Sequence, residues 1–301
     1  MDDYISSFVQ YLYEEAKDPK TIASYRTTVA HFLKWKEERD GAYTIEGTHP
    51  IDIKEYTSYL KHQCKRKPAT INKYIAALKV FFAFLLSRGI IKDNPMTRIK
   101  VEKLDYANGA NQTKWLTKEE QDRFISYVQL EPNEFKRLRN LAIIDLMLYS
   151  GLRVNEVSSL EINDIITKDK DVQVIIREGK GNKFATVILV QKHAKNLRKW
   201  LRYRKSLEKD VHKESTRLFV SERSPFLSER GIQKMLTKYA RLANMENITP
   251  HRFRHSFCKN LANAGTPIEI IRRLARHESI QTTAIYVDAS KEEQVEALRK
   301  M

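Results

Sequence analysis

Apolar residues recur three and four positions apart along the first hundred residues. Ile5, Phe8, Val9, Leu12 and Tyr13 form one stripe at helical spacing. Asp18-Pro19 reads as a helix N-cap followed by a first-turn proline. After it, Ile22, Tyr25, Val29, Phe32 and Leu33 repeat the stripe. A third segment carries Ile53, Tyr56 and Leu60. A fourth starts near Ala69 and runs through Ile71, Ile75, Leu78, Phe82 and Leu85, with Gly89 placed as its stop. Asn94-Pro95 closes the set. Four such helices can enclose a core of their own.

From Glu102 to Lys114 the periodicity disappears and Asp105, Asn108, Gly109, Asn111 and Gln112 accumulate, as in a linker. The expected division is a helical domain over 1–101, a linker over 102–115 and a second domain over 116–301. Helical patterning resumes at Thr117-Lys118-Glu119-Glu120, a capping box. Val172, Val174 and Ile176 alternate with Gln173, Ile175 and Arg177; turn residues follow at Glu178–Asn182, and then a β-rich run over Phe184–Val190. That pattern predicts a hairpin with lysine near its tip. Helical segments return over Lys192–Leu207, Ser228–Ala243, Pro250–Ala264 and Pro267–Arg276. Ser290 and Glu293 cap a last one, with Val295 and Leu298 as its apolar face. The fold class is therefore mainly α with a small β hairpin or sheet, in two domains.

Composition narrows the setting. No run of apolar residues approaches the roughly 18 a membrane helix needs, and Met1-Asp2-Asp3-Tyr4 lacks the basic-then-apolar start of a secretory leader. Cys64 and Cys258 lie far apart and match no metal spacing, so two reduced thiols and a cytoplasmic location are expected. The net charge of +16 favours a polyanionic partner, nucleic acid ahead of an acidic membrane surface. Residues 1–110 carry 18 basic and 14 acidic side chains and residues 111–301 carry 36 and 24, so the excess concentrates in the second half.

Three motifs there could carry chemistry. In His251-Arg252-Phe253-Arg254-His255, after Thr249-Pro250, His251 and Arg254 fall three apart on one helical face. An imidazole and a guanidinium so placed can donate to two oxygens of one phosphate. A solvated basic helix has the same pattern, whereas zinc would need a third ligand that is not evident. In Ser150-Gly151-Leu152-Arg153-Val154-Asn155-Glu156, Gly151 ends an apolar helix, and Glu156 is spaced to brace Arg153. An ordinary surface pair has the same spacing. Finally, His277 precedes Tyr286 by nine residues across a polar Ser/Gln/Thr/Thr stretch compatible with a loop.

Together, Gly-Leu-Arg-x-x-Glu, Gly-Lys-Gly-x-Lys, His-x-x-Arg-His and His-x-x-Ile-x-Thr-Thr-x-x-Tyr, in this order over residues 151–286, resemble the tyrosine recombinase (phage integrase) family of the two-domain type. The helical first domain resembles the family's core-binding domain, and the two would form a clamp around DNA. The resemblance implies site-specific cutting and rejoining of DNA through a 3′-phosphotyrosine and a Holliday junction. Arg153 and Arg254 would hold the non-bridging phosphate oxygens, Lys180 would protonate the leaving 5′ oxygen and His251 would assist proton transfer. His277 would hydrogen-bond the phosphate, Tyr286 would be the nucleophile, and Glu156 would support the site. Two features stand out. Arg276 occupies a position where the family usually has glycine, so the local backbone or the charge beside His277 should differ. Lys183 competes with Lys180 for the lysine role.

Clustered cations would favour the Tyr286 phenolate. The covalent bond would conserve the energy for religation. Neither cofactor nor metal is expected. The implied partners are double-stranded DNA and three further copies, a homo-tetramer on DNA that is monomeric in solution, with Ser290–Met301 reaching a neighbouring protomer. A type IB topoisomerase-like enzyme and a catalytically weakened DNA-binding relative are the alternatives.

Overall fold

The computed structural model describes residues 2–41, 44–102, 115–167, 170–177, 184–286 and 299. Most of the expected linker, the hairpin-tip lysines Lys180 and Lys183, and Ser290–Met301 except Arg299 lie outside these residues. The chain is mainly helical with one small antiparallel sheet, and it divides into two compact units, Met1–Asn111 and Gln112–Met301.

The first unit holds four helices, α1 (Asp2–Glu14), α2 (Pro19–Asp40), α3 (Pro50–His62) and α4 (Pro68–Ser87). The Asp18 carboxylate caps α2 by accepting from the backbone N–H groups of Lys20 and Thr21, and Pro19 fills the first turn where its missing N–H costs nothing. Helix α4 buries more than one stripe: Ala77, Phe81 and Phe84 are covered as well as Ile71, Ile75, Leu78, Phe82 and Leu85. Phe81 packs edge-on against Phe8 of α1 at 5.2 Å, and Phe82 meets Phe32 of α2 at 5.9 Å between centroids. By length and composition α4 is apolar enough to cross a membrane, although Asn72, Lys73 and Lys79 interrupt its apolar run. Its apolar side chains line the core of the unit.

The second unit is built on α6 (Glu134–Tyr149), whose residues from Arg139 to Leu148 are all buried. Helices α5 (Lys118–Gln129), α8 (Lys195–Lys205) and α11 (Pro250–Asn263) pack against it. Thr117 and Glu120 form the capping box of α5: the Thr117 N–H donates to Glu120 Oε2 at 2.8 Å, and the Glu120 N–H donates to Thr117 Oγ1 at 3.2 Å. Strands β1 (Ile165–Ile166), β2 (Val172–Ile176) and β3 (Ala185–Leu189) make the sheet in that order, all antiparallel. Val172 pairs with Leu189 and Val174 with Val187, so one face carries the buried side chains and sits on the core. The two-residue β1 is too short to show as alternation in the sequence. Helices α7 (Val154–Ser159), α9 (Asp210–Lys213), α10 (Glu229–Leu242), α12 (Ile268–Ala275) and α13 (Gln281–Ala284) complete the unit among the described residues.

Candidate active site

Helix α6 ends at a turn that only glycine fits. Gly151 has φ +63°, and a Cβ there would lie 2.5 Å from Cδ1 of Phe257 on α11. The chain then enters α7 with Arg153 at its N-cap position. Glu156, one turn on, folds back: the Arg153 N–H donates to Glu156 Oε2 at 2.7 Å and Arg153 Nη1 donates to Oε1 at 2.9 Å. Glu156 is only 4% exposed, against 39% for the Arg153 side chain, so this is no ordinary surface pair. A buried carboxylate without partners would cost several kcal/mol, roughly, and here each oxygen is bonded.

Arg254 is buried in the second turn of α11. Its guanidinium donates from Nη1 to the Gly151 carbonyl and from Nη2 to the Ala275 carbonyl, tying α11 to the α6–α7 turn and to the end of α12. Burial first, then the neighbouring Arg153 and Arg276, lower its pKa to about 10, which leaves it cationic at neutral pH. His251 shares the helix but is exposed in the first turn, so the two residues, three apart, differ in environment.

Helix α12 stops at Arg276, which adopts the left-handed conformation with φ 54° and ψ 47°. Glycine takes this C-terminal position most readily, and an L-residue there costs about 1–2 kcal/mol. The backbone is thus the one glycine favours, and the departure from the family pattern lies in the charge. Arg276 Nη2 donates to Glu156 Oε2 at 2.6 Å, and its carbonyl accepts from Arg153 Nη2 at 3.2 Å. The adjacent His277 has Nδ1 2.9 Å from Thr283 Oγ1. Burial, followed by Arg254 and Arg153, lowers its pKa to about 4, so it is neutral at pH 7.

Thr283 lies in α13, a short helix where the polar stretch is compatible with a loop. It leads to Tyr286, which is 1% exposed and packs with Phe257, Cys258, Ile271 and Ala275. The Tyr286 ring lies 6.3 Å from the His277 ring and 6.4 Å from Trp115. Its hydroxyl is hydrogen-bonded to Nδ1 of His255. Burial raises the pKa of the phenol well above its ordinary value, outweighing the opposing pull of Arg254. Arg254 favours the phenolate, as expected of a neighbouring cation, but desolvation outweighs it.

Arg153, Glu156, Arg254, His277 and Tyr286 are brought together in one region of the second unit, while His251 stands exposed at the start of α11. Sequence reasoning missed three contributors. His255 stands in the His-x-x-Arg-His motif without a role of its own there, and it bonds the Tyr286 hydroxyl. Lys259 lies 5.3 Å from the Trp115 ring and donates to the Tyr286 carbonyl at 3.3 Å. Trp115 sits at the edge of the expected linker. A helical wheel through His255 and Lys259, four apart on α11, was the available signal for two of them.

Alongside this cluster of arginines, a histidine and a buried tyrosine, the likeness to known proteins makes the chain a tyrosine recombinase, an enzyme that cleaves and rejoins DNA. Residues 114–293 match the phage integrase family and residues 5–89 match its N-terminal SAM-like domain, so the chain belongs to the phage integrase family. It is 29% identical to tyrosine recombinase XerC of Leptospira interrogans over 306 residues, covering 100% of this chain and 93% of that protein. Tyrosine recombinase XerD of Lacticaseibacillus casei is 30% identical, with 100% and 98% covered. The fold is similar to that of the XerH site-specific recombinase bound to its difH substrate before cleavage, with a TM-score of 0.74 and 21% identity over 98% of this chain and 93% of that one.

Proposed function

We propose that Tyr286 is the nucleophile of site-specific strand exchange and that Arg153, Arg254 and His277 bind the phosphate it attacks. The observation that supports this reading is that Arg153 is anchored on Glu156 and Arg254 on the Gly151 and Ala275 carbonyls, while His277, two residues after Ala275, stacks on Tyr286 at 6.3 Å. Two guanidiniums neutralise the non-bridging oxygens as charge develops on them. His277 Nδ1 lies 2.9 Å from Thr283 Oγ1, and in the tautomer in which that hydroxyl donates, neutral His277 carries the Nε2–H that would donate to a phosphate oxygen. Because the phenol is covered, attack requires Tyr286 and α13 to shift toward the arginines. His255 is the acceptor placed to take the phenolic proton.

In the reaction a Tyr286 Oη–phosphorus bond forms, the bond from phosphorus to the 5′ oxygen breaks, and the leaving oxygen takes a proton. Lys180 supplies that proton, and exposed His251 assists the transfer; both roles rest on the family motifs. The 3′-phosphotyrosine retains the energy of the broken bond, and the freed 5′ hydroxyl of another strand reverses the step. We infer that the chain acts in the cytoplasm on double-stranded DNA as a tetramer on two duplexes, through a Holliday junction, with Ser290–Met301 contacting a neighbouring protomer. The basic excess of the second half supports a duplex partner and predicts affinity that falls with salt.

The test is covalent trapping on a nicked duplex carrying the sequence that the protein protects in footprinting, with EDTA present. A protein–DNA adduct is expected for the wild type and none for Tyr286→Phe. An adduct formed by the phenylalanine variant removes Tyr286 from its role.

A further inference from the structure

We propose that the Arg276 side chain is a positioning residue that fixes Arg153 by sharing the carboxylate of Glu156. The inference rests on the assignment of Arg153 to the scissile phosphate. Glu156 is pinned on both oxygens: Oε1 receives Arg153 Nη1, and Oε2 receives the Arg153 N–H and Arg276 Nη2. The Arg276 carbonyl receives Arg153 Nη2. Arg153 and Arg276 are therefore linked twice, once through the backbone of residue 276 and once through Glu156.

Only the second link depends on which side chain stands at 276. Three unfavourable features accompany that side chain. Its backbone is left-handed, its guanidinium is largely buried at 17% exposure, and its Nη1 is covered without a hydrogen-bond partner among the described residues. A residue held in spite of these is held by what it bonds, and its one side-chain partner among the described residues is the carboxylate that orients Arg153. Without Arg276, Glu156 retains one guanidinium and one N–H, and the Oε2 side of the carboxylate loses its strongest donor. The exposed end of Arg153 would then sample positions away from the phosphate. A misplacement of about an ångström at a reacting centre slows a reaction by up to about a hundredfold.

Arg276→Gly isolates the side chain, since glycine keeps the left-handed turn and the carbonyl bond to Arg153. The expected result is a melting temperature at or above that of the wild type, DNA affinity within about twofold, and single-turnover cleavage about tenfold slower. Arg276→Lys should recover part of the rate, because an ammonium still pairs with Glu156. Adding Arg276→Gly to Glu156→Ala should give no further loss, because the two act along one link. Wild-type cleavage by Arg276→Gly overturns the proposal, and so does a rate loss that tracks lost affinity or a lowered melting temperature. Arg153→Ala, on the same nicked substrate, separates the two levels. If it also cleaves normally, the assignment of Arg153 fails; if it is inactive while Arg276→Gly is normal, only the role of Arg276 falls.

Discussion

Nδ1 of His255 is hydrogen-bonded to the hydroxyl of Tyr286, 31 positions further along the chain. His255 follows Arg254 directly on α11, so one stretch of helix presents an anchored cation and an imidazole to neighbouring parts of the same region. The two have different tasks. Arg254 is locked by two carbonyls, whereas His255 faces a phenol that burial keeps protonated. If Tyr286 is the nucleophile proposed above, a phenol whose own ionisation is suppressed depends on an adjacent base.

Replacing His255 by alanine should therefore slow single-turnover adduct formation by about 10²–10⁴-fold while leaving DNA affinity unchanged. The surviving rate should climb with pH throughout the accessible range, because the phenolate fraction is then set by a group titrating far above it. A variant with the wild-type rate at pH 7 rules out the base role.

Gly151→Ala should destabilise the second unit. The left-handed backbone costs an alanine about 1–2 kcal/mol, and relieving the contact with Phe257 costs about 1–3 kcal/mol more. The melting temperature should fall by on the order of 10 °C. Cleavage should fall too, because the Gly151 carbonyl receives Arg254. Gly89→Ala is the comparison: φ there is +68°, but nothing lies within 4 Å of the added methyl, so only the backbone cost applies. Equal losses for the two variants would remove the steric half of the explanation.

These two glycines also mark what the sequence discloses. The stop after α4 and the break after α6 were legible, since each follows an apolar stripe. The Arg153–Glu156 spacing was legible as a pair, but not the burial that distinguishes it from a surface pair, because burial comes from α11 and α12 closing over it. The role of Arg276 was visible only as an oddity: a left-handed φ and a partner 120 positions away leave no local trace. His255 and Trp115 touch Tyr286 through tertiary packing alone, and periodicity on α11 gives direction without naming what lies opposite. The two-residue β1 is below the length at which alternation has meaning.

His277 should make the fold sensitive to acid. Its folded pKa of about 4 lies below the ordinary 6.5, so between these values the unfolded chain binds more protons. Stability from this group is then present above about pH 6.5 and is lost as pH falls toward 4. Thermal unfolding at about pH 7.5, above the window, and at about pH 5, inside it, should show a smaller drop for His277→Gln than for the wild type. Parallel drops would contradict the depressed pKa.

Asp145 should act in the opposite direction. Its carboxyl is buried on α6, accepts from Asn196 Nδ2 at 2.9 Å, and is pushed by burial up to about 7 from 3.8. Between those values the folded state binds more protons, so stability falls as pH rises through the window. Once the group is ionised in both states, the accumulated penalty is about 4 kcal/mol at most. Asp145→Asn keeps an acceptor for Asn196 and cannot ionise. It should therefore be more stable than the wild type at about pH 8, and the gap should close toward about pH 4. Urea denaturation of both proteins at the two ends of the range measures this directly. A gap that stays constant with pH means that the carboxyl titrates alike in the folded and unfolded states, and the raised pKa falls. The position matters for the site as well, since Asp145 lies less than two helical turns before Gly151. Ionising it loads the same helix whose end receives Arg254, so cleavage by the wild type should weaken above neutral pH relative to Asp145→Asn.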